Sequence, residues 1–146
     1  MKDVDVAARG WTVVGETANS RFFDVEKGIL AAVPLSGAVD DAKTAKENRT
    51  FQENYFRKLG RAGVVVVLMD GFVSQDKAAR SAYQETDEPL MLGVGLVASS
   101  LLGRAIASFS IGLRTLALPV KFFATLDDAL AWARKVPGLD ARRGAT

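Results

Sequence analysis

Side chains able to do chemistry are few in this 146-residue chain, and the sequence holds no cysteine and no histidine. That removes disulfides, zinc sites of the Cys/His kind, thiol nucleophiles and every Ser-His-Asp or Cys-His arrangement. Carboxylates occur as the adjacent pairs Asp40-Asp41, Asp87-Glu88 and Asp127-Asp128. Adjacent residues on a helix point apart, and each pair stands near an expected helix start or loop, so capping is their expected work rather than metal binding or acid–base catalysis. With no acid in a catalytic motif, enzyme chemistry has no named carrier, and neither a metal nor a cofactor is expected. Gly93-Val94-Gly95-Leu96-Val97-Ala98 spells G-x-G-x-x-A. A dinucleotide site needs those glycines in a turn after a strand, with an acid about 20 residues on. Here they fall inside an apolar run and Leu113 to Leu118 contains no acid, so they are expected to make room for a helix packed closely on a sheet.

The totals narrow the partners. There are 19 basic and 17 acidic residues, a formal charge of +2, which makes no electrostatic case for nucleic acid. Nearly half the residues are hydrophobic, at 49%, enough for one domain with a real core. Met1-Lys2-Asp3-Val4-Asp5 carries acids and no apolar signal region, so a cytoplasmic protein is expected. The apolar stretch from Leu90 to Leu118 is interrupted by Arg104 and Arg114. Its uninterrupted part is shorter than the roughly 20 residues a spanning helix needs, so no transmembrane segment is expected.

The element that must position everything else is Gly63-Val64-Val65-Val66-Val67-Leu68-Met69. It has no polar alternation, which predicts a central strand covered on both faces. It stops at Asp70-Gly71, and a helix is expected after Ser74, with Ser74 as its N-cap and Asp76 at the positive end of its dipole. The loop at the end of such a strand is where open α/β folds place their working surface.

Around this strand, residues 1–18 are expected to fray apart from a first strand at Trp11 to Glu16, residues 19–137 to form one domain, and residues 138–146 to be a disordered tail. Arg21 to Val25 and Ile29 to Leu35 predict an antiparallel hairpin turned at Gly28. Val39 to Leu59 predicts a helix whose inner face carries Ala42, Ala45, Phe51, Tyr55, Phe56 and Leu59, with Lys43, Lys46, Glu47 and Glu53 outside and Gly60 ending it. Arg49 is expected to be solvated or paired at the surface. Leu90 to Ala98 is a second buried strand, followed by a helix from Leu101 to about Leu113 capped at Ser99-Ser100. Val120 to Phe123 is a last short strand, and Thr125 caps a final helix through Leu126, Ala129, Leu130 and Ala133. The fold class is therefore α/β: a single-layer, mostly parallel β-sheet with an N-terminal antiparallel hairpin, flanked by about four helices.

Five stretches together resemble bacterial STAS-like, SpoIIAA-like domains. They are the valine strand ending in Asp70, Asp76-Lys77-Ala78-Ala79-Arg80, Val97-Ala98-Ser99-Ser100, Arg104 to Phe109, and Pro119 to Phe123 with Asp128-Ala129-Leu130-Ala131-Trp132. The resemblance runs from about Phe22 to Val136. It implies a non-enzymatic regulatory module like the anti-sigma-factor antagonists, in which a serine at the start of the helix after the central strand is phosphorylated by a partner kinase. The Asp-Ser-Ser-Gly motif of those proteins is missing, and Asp76-Lys77-Ala78 stands about where it would lie.

The resemblance implies a partner protein of the kinase or sigma-regulator type, bound through the loop and helix start at Asp70, Gly71, Phe72, Ser74, Asp76 and Lys77, with a homodimer as a further expectation. Ser74 is the candidate phosphoacceptor, since a helix N-terminus stabilises added negative charge. Leu101 and Ile111, facing away from their helix's core stripe, are expected to join Phe72 and Val73 in a contact patch. The alternative is a small apolar-ligand or lipid carrier of the SEC14 type, in which Phe109, Phe122, Phe123 and the valine strand line a cavity.

Overall fold

The structure, a computed structural model, describes residues 9–83, 85, 89–101, 103–105 and 119–139. The strands are β1 (Thr12–Glu16), β2 (Ser20–Glu26), β3 (Ile29–Pro34), β4 (Ala38–Asp40), β5 (Gly63–Leu68), β6 (Phe72–Gln75), β7 (Met91–Val97) and β8 (Val120–Phe123). The helices are α1 (Ala42–Leu59), α2 (Lys77–Tyr83) and α3 (Leu126–Ala133), with a further helical segment at residues 101 and 103–105. Strand order in the main sheet is β1-β2-β3-β5-β7-β8. The first two pairings are antiparallel and the last three parallel. The expected hairpin is β2–β3, turned at Gly28 with φ +79°, and β1 extends it to the sheet edge.

The valine strand lies where its composition demands. Val64, Val65 and Val66 are fully buried, and the alternation of a strand sends them to opposite faces. Val64, Val66 and Leu68 pack with Phe23, Ile29 and Ala31 under Leu126, Ala129, Leu130 and Ala133 of α3. Val65 packs with Phe22, Leu30 and Met91 under Phe56 of α1. Each buried valine is worth about 1.5–3 kcal/mol relative to exposure, so this strand anchors both layers. Gly93 and Gly95 fall within β7, and a Cβ added to either would lie 3.2 Å from the Trp132 ring. They are the close helix-on-sheet contact expected of them.

The mostly parallel central sheet with its N-terminal antiparallel hairpin is as expected, and a second, two-stranded parallel sheet, β4–β6, accompanies it. Two expectations need correction. Helix α1 starts at Ala42, not Val39: Asp41 caps it, accepting the Thr44 amide at 2.9 Å while the Thr44 hydroxyl accepts the Asp41 amide, and this frees Val39 and Asp40 to pair in β4. The face of α1 is also rotated. Ala45, Asn48, Gln52, Glu53 and Phe56 are buried, whereas Leu59 is 45% exposed. Asn48 is turned inward to Asn19 and Tyr83, and Glu53 pairs with Arg49 at 3.7 Å.

Candidate functional site

At the exit of β5 the chain makes a 3-10 turn, Met69–Gly71, before entering β6. The Asp70 carboxylate accepts the Ser99 hydroxyl at 2.6 Å and the Ser100 hydroxyl at 2.8 Å, together with the Ser99 amide at 3.0 Å and the Ser100 amide at 2.9 Å. Partial burial works against its ionised form. The hydrogen bonds from the Ser99 hydroxyl and from both amides outweigh that and hold the carboxyl well below its ordinary value. Ser100 meanwhile caps the following helical segment, its hydroxyl accepting the Gly103 amide at 2.9 Å. Asp70 therefore fastens the end of β5 to the end of β7 instead of presenting a free carboxylate.

Gly71 is confined as well, since a Cβ there would lie 2.6 Å from the Pro34 carbonyl oxygen. Phe72 is only 3% exposed and packs with Ala38, Met69, Leu96 and Ala98. Its place in the expected contact patch is corrected accordingly: the ring is core, turned inward by the alternation of β6, and its neighbour Val73 is the residue turned out, 49% exposed. Ser74 is not a helix cap. It lies exposed in β6 opposite Val39, and Asp76 is the cap of α2, accepting the Ala79 amide at 2.8 Å. The helix-dipole argument for Ser74 as phosphoacceptor thus has no helix end to act through. Asp76 and Lys77 are exposed, and Leu101 is 87% exposed. Ile111, like Phe109, lies outside the described residues.

Beneath this surface is a buried polar cluster that the sequence reading missed. Asp40 is fully buried, accepting from Thr44 Oγ1 at 2.7 Å, Gln75 Nε2 at 3.0 Å and Asn19 Nδ2 at 3.3 Å. Asn48 donates to Asn19 Oδ1 at 2.9 Å and to the Tyr83 hydroxyl at 3.0 Å, and accepts from Thr17 Oγ1. Burial first, and then the negative charge of Asp40, raise the Tyr83 pKa well above the ordinary tyrosine value of 10.0. Residues from the β1–β2 connection, β4, α1, β6 and α2 meet here, so the small sheet is positioned on the molecule through hydrogen bonds as well as through Phe72. The signal was present in the sequence: Asn48 follows Ala45 by three residues, and Gln52 and Glu53 precede Phe56, which places polar groups on an otherwise apolar face.

Arg49, expected at the surface, is mostly covered. It donates to the Ala82 carbonyl at 3.2 Å and to Glu85 at 3.1 Å, joining α1 to the end of α2. Between these helices lies an open groove of about 620 Å3. Among the described residues no group of three or more acids is placed to hold a metal ion, and no helix is long and apolar enough to cross a membrane. Asp127 pairs instead with Arg9, and Thr125 caps α3 through the Asp128 amide. The pair Asp87-Glu88 lies outside the described residues.

The fold is thus mixed α/β, with a mostly parallel central sheet. Residues 23–137 match the family described as "Domain of unknown function (DUF7793)", and the chain belongs to that family. Among solved structures the chain is similar to an uncharacterized protein of the DUF3478 family, described as having a SpoIIAA-like fold, from Shewanella loihica PV-4. It is 12% identical, covers 84% of this chain and 91% of its own, and has a TM-score of 0.49. No curated protein matches the sequence.

Proposed function

We propose that this protein is a non-enzymatic regulatory module that binds a partner protein, of the kinase or sigma-regulator type, through the small β4–β6 sheet and the loop that precedes it. This function places it in the cytoplasm. One observation carries the proposal: Val39, Val73 and Leu101 are 53%, 49% and 87% exposed on three segments fastened to the carboxyl end of the parallel sheet. Val39 and Val73 sit on paired strands, and Leu101 follows the serines that hold Asp70. Apolar side chains on a fixed backbone bind with little ordering cost, which is what a docking surface needs. Ser74, Asp76 and Lys77 border it with polar groups.

The test is affinity purification of the tagged full chain from its own cells, with Val73→Asp and Val39→Asp variants compared. Wild type is expected to retain a partner in near-equal amount, and the variants to lose it while keeping the wild-type unfolding midpoint. Equal recovery of the same proteins by all three chains would remove this surface from consideration.

A further inference from the structure

The groove between α1 and α2 adjoins the docking surface through Lys77. It is lined by Ala42 and Lys46 of α1, by Lys77, Ala78, Ser81 and Ala82 of α2, and by Glu85. Among the described residues neither lysine has an ion-pair partner, whereas Glu85 is held by Arg49 at 3.1 Å. The caps at the groove's head, Asp41 and Asp76, are likewise engaged, by the Thr44 and Ala79 amides. Two cations without an ion-pair partner among the described residues therefore line one groove, one from each helix, together with three alanines whose small side chains leave room for another chain.

We propose that the partner presents an acidic segment to this groove, its carboxylates meeting Lys46 and Lys77 and its small side chains lying on the alanines. This inference rests on the docking function above and names the chemistry of what docks. The lysine stems would lie along the segment while their ammonium groups stay wet. The Asp41 and Asp76 carboxylates repel acids at the groove's head, so the segment's charges sit farther along it. An anionic bilayer is a poorer occupant, because recruitment takes clusters of about 4–8 basic residues and a flat surface does not enter a trough. A nucleic acid would call for a basic stripe, which a net charge of +2 does not supply.

The experiment is an NMR titration of the isotope-labelled full chain with a short synthetic peptide of glutamate and alanine, and with its glutamine counterpart. Amide shifts at Ala42, Lys46, Ala78, Ser81 and Ala82 are expected with the glutamate peptide alone. Exposed ion pairs are individually weak, but reversing both charges replaces attraction with repulsion, so Lys46→Glu/Lys77→Glu is expected to weaken binding by at least about tenfold. Absent shifts, shifts elsewhere, or equal binding by the charge-reversed variant would overturn the inference. So would capture on phosphatidylglycerol vesicles through these lysines without a response to the peptide. In the purification from native cells, partner loss in both Val73→Asp and Lys46→Glu/Lys77→Glu supports docking and groove together. Loss in Val73→Asp alone keeps the docking surface and discards the acidic segment, and loss in neither discards both.

Discussion

The Asp70 carboxylate accepts the Ser99 hydroxyl at 2.6 Å, and that contact joins the ends of two parallel strands, β5 and β7, beneath the proposed docking surface. An acid at the end of a buried strand reads in sequence as an offered functional group. In the fold it is a fastener, with both serine amides also engaged.

Asp70→Asn should therefore destabilise the protein by about 1–3 kcal/mol at neutral pH, the usual loss for hydrogen bonds to a charged group. The fold lowers the Asp70 pKa below its ordinary 3.8, so as pH falls the unfolded chain takes up the proton first and the stabilisation drains away. The difference between wild type and variant is full above the ordinary value and closes as pH falls towards the depressed one. Urea unfolding of both chains at neutral and strongly acid pH measures it, and a gap of constant size would exclude this role.

Gly71 reports on the same corner. An added Cβ would sit 2.6 Å from the Pro34 carbonyl oxygen, which belongs to the backbone of β3 and cannot swing aside as a flexible side chain does. Gly71→Ala is expected to cost about 1–3 kcal/mol through overpacking. A urea midpoint unchanged from wild type would mean that the exit loop and β3 are not in contact.

The two candidate caps of α2 are separable by substitution. Asp76→Ala removes the acceptor of the Ala79 amide and should cost about 1 kcal/mol. Ser74→Ala, on the exposed side of β6, should stay within about 0.5 kcal/mol of wild type. Equal losses, measured by thermal unfolding, would restore Ser74 to a helix end.

The pair Ser74 and Asp76 also shows where sequence reading stops. Apolar runs are read well: the valine strand lies mid-sheet because only a position covered on both sides suits it, and Gly93 and Gly95 lie under Trp132 as small residues in a buried strand should. Phe72 to Gln75 is short, and its alternation becomes meaningful only when β4 arrives from residues 38–40 to pair with it. That pairing is non-local, so capping propensity alone assigned Ser74 to the wrong element. The same holds for the polar cluster. Asn19, Asp40, Asn48 and Tyr83 are unremarkable in sequence, and their roles come from elements that meet only after folding.

Both tyrosines of the chain should betray that burial on alkaline titration. Tyr55 donates to Asp24 at 3.1 Å, and Tyr83 sits between Asn48 and the Asp40 charge; burial, followed by the neighbouring carboxylate, raises both above the ordinary 10.0. At pH near 10, where an unfolded chain is about half ionised, the folded protein should show almost no tyrosinate absorbance. Because the folded pKa values are raised, the stabilisation is complete below the ordinary value and is lost as pH climbs above it, so tyrosinate should appear together with unfolding. Tyr83→Phe leaves one Asn48 N–H without its acceptor and should cost about 1–2 kcal/mol. Its remaining tyrosinate signal belongs to Tyr55 alone. A tyrosinate signal at pH 10 that folded wild type shows and folded Tyr83→Phe lacks would show that the cluster under β4–β6 is open to water.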